Sequence, residues 1–129
     1  MSSSELRFTR AHCWVRQEGK TVVVGITDYA QEQMSELTFV ELPEVGEQVE
    51  AEEEVAVVES VKAANDVFAP VAGTIVEVNE ALLEQPESVN NDPFGKGWLF
   101  KMKPENMGDL DDLLDADAYE AQLPLEEEE

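Results

Sequence analysis

The sequence predicts a small all-β barrel or sandwich with short helical additions. Short runs of β-branched and apolar residues recur at close spacing, Gly and Pro separate these runs, and helical periodicity is confined to brief stretches. At 129 residues the chain is long enough to bury one hydrophobic core. We therefore expect a single domain over residues 1–129, with a loose lead-in at 1–7 and a disordered acidic tail at 124–129.

The extended segments follow one another through most of the chain. Glu18-Gly19-Lys20 predicts a hairpin turn, and Pro43-Glu44-Val45-Gly46 and Pro70-Val71-Ala72-Gly73 predict two further turns. In the last strand, alternation should direct Trp98, Phe100 and Met102 to the core. The predicted extended segments are residues 8–15, 21–26, 37–42, 49–54 (a strand or a loop), two runs within 55–70, 74–78 and 98–103.

Three helical segments interrupt or follow the strands. Asp28 has the position of a helix N-cap, and Gln31 follows it at capping-box spacing. Asn79 is expected to cap a second short helix that Pro86 ends, and residues 86–97 form a long turn region. The helix expected after Pro104 has an apolar face formed by Leu110, Leu113, Leu114, Tyr119 and Leu123.

Lys62 is the one basic residue between Lys20 and Lys96, and it lies in the turn between two apolar runs. Most turn lysines are only solvated. The acidic surroundings favour a charged ammonium and therefore disfavour a general-base or Schiff-base lysine, which needs a lowered pKa. If Lys62 has a role, the sequence favours a handle that another enzyme modifies.

The charge balance excludes several classes of partner. Thirty acidic and eight basic residues give a net charge of −22. Binding to nucleic-acid phosphates or to an anionic membrane surface is therefore not expected. The same balance suggests a halophilic source, since concentrated salt screens the self-repulsion. This hypothesis predicts that the fold weakens on desalting; a melting temperature that does not depend on salt would contradict it.

Cys13 is the one cysteine, so no intrachain disulfide is possible. The N-terminal residues have no basic region and no apolar run, and no segment is long and apolar enough to span a membrane. These features predict a cytoplasmic protein.

No catalytic centre is predicted. His12 is the one histidine, and on an extended segment its side chain and that of Cys13 should point to opposite faces. The two residues therefore cannot form a catalytic dyad, and the chain has too few ligands for a zinc site. His12 is expected to pack or to line a pocket, and the protein is not expected to be an enzyme.

The pentapeptide Glu59-Ser60-Val61-Lys62-Ala63 resembles the lipoylation site of the glycine cleavage system H protein family. The resemblance extends over residues 8–123, and several ordered motifs are far more specific than one lysine. The other segments similar to the family are residues 24–31, 39–46, 69–73, 76–79 and 91–99.

This resemblance implies a barrel-sandwich hybrid with lipoate in amide linkage on Lys62. It implies a shuttle that takes an aminomethyl group from glycine decarboxylase (P protein) to the aminomethyltransferase (T protein). Dihydrolipoamide dehydrogenase (L protein) then reoxidises the arm, and a lipoate-attaching enzyme installs it. Glu59, Gly46 and Gly73 match family positions that present the lysine. Asp66 matches an acid near the loaded arm, and His12 is a candidate for the arm pocket.

The sequence departs from the family at Cys13, where glutamate is common, so the sheltering of the loaded arm is expected to differ. Three alternatives remain open at this stage. A lipoyl domain of a 2-oxo acid dehydrogenase usually has Asp-Lys-Ala, and a biotin carrier has Met-Lys-Met, whereas this chain has Val61 and Ala63 around the lysine. The third alternative is an unlipoylated relative with a lipoyl-relay or binding role.

Overall fold

The computed structural model describes residues 6–122, which form two β-sheets, four short α-helices and a 3₁₀ helix. The lead-in residues 1–5, Leu123 and the predicted tail at 124–129 lie outside the described residues. The elements are β1 (Arg7–Phe8), β2 (Cys13–Glu18), β3 (Thr21–Ile26), α1 (Asp28–Met34), β4 (Leu37–Glu41), β5 (Gln48–Val49), β6 (Glu54–Ser60), β7 (Ala64–Phe68), β8 (Gly73–Val78), α2 (Ala81–Glu84), α3 (Glu87–Asn91), β9 (Phe100–Pro104), the 3₁₀ helix Met107–Asp112 and α4 (Ala116–Gln122).

The two sheets are antiparallel throughout. The larger sheet has six strands in the order β1-β2-β3-β9-β8-β5, and the smaller has three in the order β4-β6-β7. In the part of the chain that is described, neither sheet closes on itself. The predicted mainly β barrel-sandwich fold with short helices is therefore confirmed, as two open sheets.

The alternation of side chains along β2 divides the apolar residues between two clusters. Cys13 and Val15 face the main core, which both sheets line, whereas Trp14 faces outward. The indole of Trp14 is fully buried there and donates a hydrogen bond to the carbonyl of Pro93 at 2.8 Å. The outer cluster consists of Phe8, Trp14, Val23 and Tyr119, so the C-terminal helix covers the outer face of the large sheet.

The prediction that residues 8–15 form one extended segment is wrong. A turn at residues 9–12 separates β1 from β2, and Arg7, which belongs to the predicted lead-in, already pairs with Val15. Thr9 closes this turn: its carbonyl accepts from the amide of His12 at 3.1 Å, and its hydroxyl accepts from the amide of Cys13 at 3.1 Å. Side-chain capture of a backbone amide competes with strand pairing and ends the strand.

Both predicted helix caps are also wrong. Thr27 is the N-cap of α1, because its hydroxyl accepts from the amide of Ala30 at 3.2 Å. Asp28 is the first helical residue, and its carboxylate accepts a hydrogen bond from Gln31 at 2.9 Å. Asn79 does not cap α2; its amide instead donates to two carbonyls in the loop before β9.

The second half of the chain differs from the prediction in two further places. Residues 86–97 include the helix α3, and Trp98 lies half-buried before β9 rather than in the core. The single C-terminal helix is replaced by the 3₁₀ helix and α4, because Leu114 pairs with Phe8 through two backbone hydrogen bonds of 2.8 Å. Phe100 and Met102 are fully buried, as predicted. Over residues 6–122, no helix is long and apolar enough to cross a membrane.

Candidate functional site

Lys62 lies at the exposed tip of the β6–β7 hairpin. The amide of Ser60 donates to the carbonyl of Ala63 at 2.8 Å, and the Ser60 hydroxyl accepts from the amides of Lys62 and Ala63 at 3.3 and 3.2 Å. Val61 is 88% exposed, and within residues 6–122 the Lys62 ammonium forms no ion pair. The hairpin therefore fixes the backbone at Lys62 and leaves the amine accessible.

Glu59 lies in β6, close to the hairpin tip. It pairs in register with Phe39 on one side and with Ala64 on the other. Residues directly opposite each other in a sheet point to the same face, so Glu59 shares its face with Phe39, which is 46% exposed. The strands β4 and β6 therefore place an apolar and an acidic side chain on one face of the sheet that carries the hairpin.

Gly73 begins β8 of the larger sheet and Gly46 lies in the turn before β5 of the same sheet, whereas Lys62 lies at a hairpin tip of the smaller one. Gly46 has φ 94° and donates its amide to Ile75 at 2.7 Å. A Cβ at Gly73 would meet the backbone carbonyl of Lys103. Both glycines thus have a local backbone function, and their part in presenting Lys62 stays a prediction.

A cleft of about 550 Å³ opens beside the hairpin. Its walls come from β7, from α1 and from the turn before β2, and most of the lining is apolar. The residues that line it are Ala11, His12, Cys13, Ile26, Tyr29, Ala30, Gln33, Met34, Val58, Ala64, Asn65, Asp66, Val67 and Phe68.

His12 and Asp66 are predicted as site residues from distant parts of the sequence, and the structure places both at this cleft. His12 has φ 72°, a strained backbone conformation for a residue other than glycine. Its Nδ1 lies 2.7 Å from the hydroxyl of Tyr119, and its ring centroid lies 4.9 Å from that of Tyr29. Burial lowers the pKa of His12 and so favours the neutral imidazole.

Cys13 also lines the cleft, but its side chain is buried in the main core. Burial raises the pKa of the thiol to about 11. At neutral pH Cys13 is therefore a protonated thiol, which is a weak nucleophile. It behaves as a small apolar residue.

Asp66 is exposed on β7, and its carboxylate is close to that of Glu54 on β6. A hydrogen bond between the two carboxyl groups, followed by their mutual repulsion, raises the pKa of Glu54 above its ordinary value. Of these two groups, Asp66 lines the cleft, so its carboxyl group lies on one wall. Among the residues described, no group of three or more His, Cys, Asp and Glu side chains has the arrangement of a metal site.

The sequence matches known proteins along most of its length. The family model described as "Glycine cleavage H-protein" matches residues 6–126. The chain belongs to the glycine cleavage H-protein family. The glycine cleavage system H protein of a Thermus thermophilus strain is 60% identical over 119 residues, which cover 92% of this chain and 93% of the relative. That of an Acinetobacter baumannii strain is 54% identical over 120 residues, which cover 93% and 97%.

A solved structure agrees with this assignment. The crystal structure of a glycine cleavage system H protein from Mycobacterium marinum has a TM-score of 0.83 and 39% sequence identity to this chain. The match covers 92% of this chain and 96% of that one.

The cleft of this family member contains residues that reasoning from the sequence missed. Tyr29 and Phe68 line it directly, and the hydroxyl of Tyr119 forms a hydrogen bond with the ring of His12. Phe68 carries a weak signal, since it is an aromatic residue that ends β7 two residues after the candidate Asp66, whereas Tyr29 is next to no candidate site residue. Tyr119 carries none, because its contact depends on how the C-terminal segment folds back against β1.

Proposed function

We propose that this protein is the lipoyl carrier of a glycine cleavage system, with lipoate attached through an amide to Lys62. The observation that carries this proposal is the display of the family's lysine at an exposed hairpin tip, beside an apolar cleft. When attached, the lipoyl group would supply the disulfide chemistry that carries the aminomethyl group of glycine between enzymes.

The residues around Lys62 suit such a group. The accessible amine can enter the active site of an attaching enzyme, because the strands hold the hairpin backbone and no ion pair within residues 6–122 competes for the ammonium. Ala30, Ala64 and Phe68 offer an apolar surface to the hydrocarbon part of the arm. Asp66 offers a negative charge to a cationic cargo, and the neutral His12 does not repel it.

We propose that the partners are glycine decarboxylase, the aminomethyltransferase, dihydrolipoamide dehydrogenase and a lipoate-attaching enzyme. In this arrangement the protein is the substrate of each partner rather than a catalyst. Phe39 and Val61 beside Lys62 offer an apolar contact surface, and a net charge of −22 can steer the carrier toward basic docking patches. The unpaired Cys13 fits the reducing cytoplasm in which we expect the system to work.

Attachment can be tested with purified unmodified protein, a lipoate-attaching enzyme, lipoate and ATP. We expect mass spectrometry to show one lipoyl increment on the wild type and none on Lys62→Arg, which keeps the positive charge. Lys96→Arg is the matched control, because Lys96 is another exposed lysine in a turn, and this variant should be modified like the wild type.

Transfer can then be tested by adding glycine decarboxylase to the modified protein. We expect glycine-dependent CO₂ exchange with the wild type and with Lys96→Arg, and loss of this exchange with Lys62→Arg. Modification at another lysine would overturn the assignment of Lys62. A modified protein that does not support the exchange would favour the lipoyl-relay role instead.

A further inference from the structure

Tyr119 reaches the wall of the cleft from the C-terminal helix α4. Its ring is 5% exposed and stacks on Phe8, with centroids 4.7 Å apart and an interplanar angle of 13°. Its hydroxyl oxygen lies 2.7 Å from Nδ1 of His12 and 2.8 Å from Oγ1 of Thr27. A phenol has one hydrogen, so it donates to one of these neighbours and accepts from the other.

The surroundings of Thr27 decide the direction of these hydrogen bonds. Thr27 is 2% exposed, and its Oγ1 already accepts the amide hydrogen of Ala30 at 3.2 Å. In the described part of the chain, the Tyr119 oxygen is the one hydrogen-bond acceptor found for the Thr27 hydroxyl hydrogen. If Tyr119 donated to Thr27, that buried hydrogen would lose its partner, which is unfavourable. Thr27 therefore donates to Tyr119, and Tyr119 donates to Nδ1 of His12.

The backbone holds His12 where this hydrogen bond can act on it. The amide of His12 donates to the carbonyl of Thr9 at 3.1 Å, and its carbonyl accepts from the amide of Thr27 at 3.0 Å. The ring also packs between Tyr29 and Tyr119, with centroids 4.9 and 5.6 Å away. Since Tyr119 occupies Nδ1, the nitrogen left for an occupant of the cleft is Nε2.

We propose that Tyr119 is a positioning residue that holds His12 as the neutral tautomer with its hydrogen on Nε2, so that the imidazole offers a hydrogen-bond donor to the cleft. This inference deepens the proposed function and rests on it, because it takes the lipoyl arm to be the occupant. Its ligand class is a group with an acceptor atom, such as an amide oxygen or a sulfur. Asp66, which lines the same cleft, supplies the acceptor for a cationic cargo.

The tautomer can be measured directly on the wild-type, unmodified protein. His12 is the one histidine in the chain, so two-dimensional ¹H–¹⁵N NMR of the imidazole needs no assignment by mutation. At pH 8 we expect Nε2 to carry the hydrogen and Nδ1 to have the shift of an unprotonated nitrogen. A hydrogen on Nδ1, or an imidazolium at this pH, would overturn the proposal, whether or not any variant folds.

Tyr119→Phe tests the positioning role, because it keeps the stacked ring and removes the hydroxyl. A hydrogen bond accepted by Nδ1 stabilises the neutral imidazole, so its loss should raise the pKa of His12 by roughly half a unit to one unit. If Nδ1 were the donor, the loss would lower the pKa. An NMR titration distinguishes these outcomes, and a fall or an unchanged pKa would contradict the proposal.

Tyr29→Phe is the matched control for this titration. The other titratable groups around the ring are Tyr29 on α1, Cys13 in the adjoining strand and Asp66 across the cleft. Tyr29 contacts the ring of His12 by packing, so removing its hydroxyl should leave the tautomer unchanged and move the pKa less than Tyr119→Phe does. Equal shifts in the two variants would overturn the specific role of Tyr119. Lys62 takes no part in this measurement, so its outcome is independent of the lipoylation test.

Discussion

The strand β9 and the tip of the β6–β7 hairpin differ in how deeply their residues are buried. β9 lies between β3 and β8, and its Phe100 and Met102 are fully buried. The tip of the hairpin consists of exposed residues, among them Val61, which is 88% exposed, and Lys62. The fold thus buries the residues at the centre of the large sheet and displays Lys62, the proposed attachment site, at a hairpin tip of the smaller sheet. A lysine that contributes little to folding can be acylated and enter partner enzymes without destabilising the domain.

Met102→Ala and Val61→Ser should have very different effects on stability. Truncating a fully buried methionine leaves a cavity and should lower the free energy of unfolding by about 2–5 kcal/mol. Val61→Ser changes an exposed side chain and should change this free energy by less than about 0.5 kcal/mol. Urea unfolding measures both. A large loss from Val61→Ser would show that the hairpin tip is part of the stabilising structure.

Gly73→Ala should have an intermediate effect. The new Cβ would meet the backbone carbonyl of Lys103, so strands β8 and β9 must separate locally, at a cost of about 1–3 kcal/mol. Gly46→Ala is the matched comparison, because its Cβ would have open space and only the φ of 94° is unfavourable, costing about 1–2 kcal/mol. If both glycines present Lys62, as predicted, the folded fraction of each variant should be lipoylated more slowly than the wild type. A wild-type rate in folded protein would contradict the predicted role of both glycines in presenting Lys62.

Asp66→Asn should have the smallest effect, and the effect should depend on pH. The folded-state pKa of Glu54 is raised, so its contribution to stability is full below its unfolded pKa and is lost as pH rises through the folded value. Removing the Asp66 charge relieves the repulsion, so the variant should melt slightly higher than the wild type at pH 7. This difference should shrink as pH falls through the pKa of Glu54.

Thermal unfolding across pH 3–8 checks this dependence on pH. Glu36→Gln is the control, because it removes one exposed carboxylate on the turn after α1 and should not reproduce the dependence. A Tm difference that stays constant over this range would show that the two carboxyl groups do not interact.

Local sequence signals predicted those turns and strands whose conformation depends on residues close together in the sequence. Gly19 with φ 64° forms the predicted first hairpin, and the β-branched run of β3 lies buried as expected. Thr27 and Asp28 are adjacent residues that can both cap a helix, so the sequence did not decide between them. The contact between Tyr119 and His12 joins residues 107 positions apart and depends on a packed C-terminal segment, which no local pattern encodes.

The most direct test is a tryptic peptide map of the protein purified from its native host. Trypsin cuts after unmodified lysine, so an unmodified chain should give separate peptides for residues 21–62 and 63–96. Acylation blocks cleavage at Lys62, and we predict one peptide of residues 21–96 with the mass of a lipoyl group added. The two unmodified peptides, from cells that lipoylate their other carriers, would contradict the carrier role of Lys62.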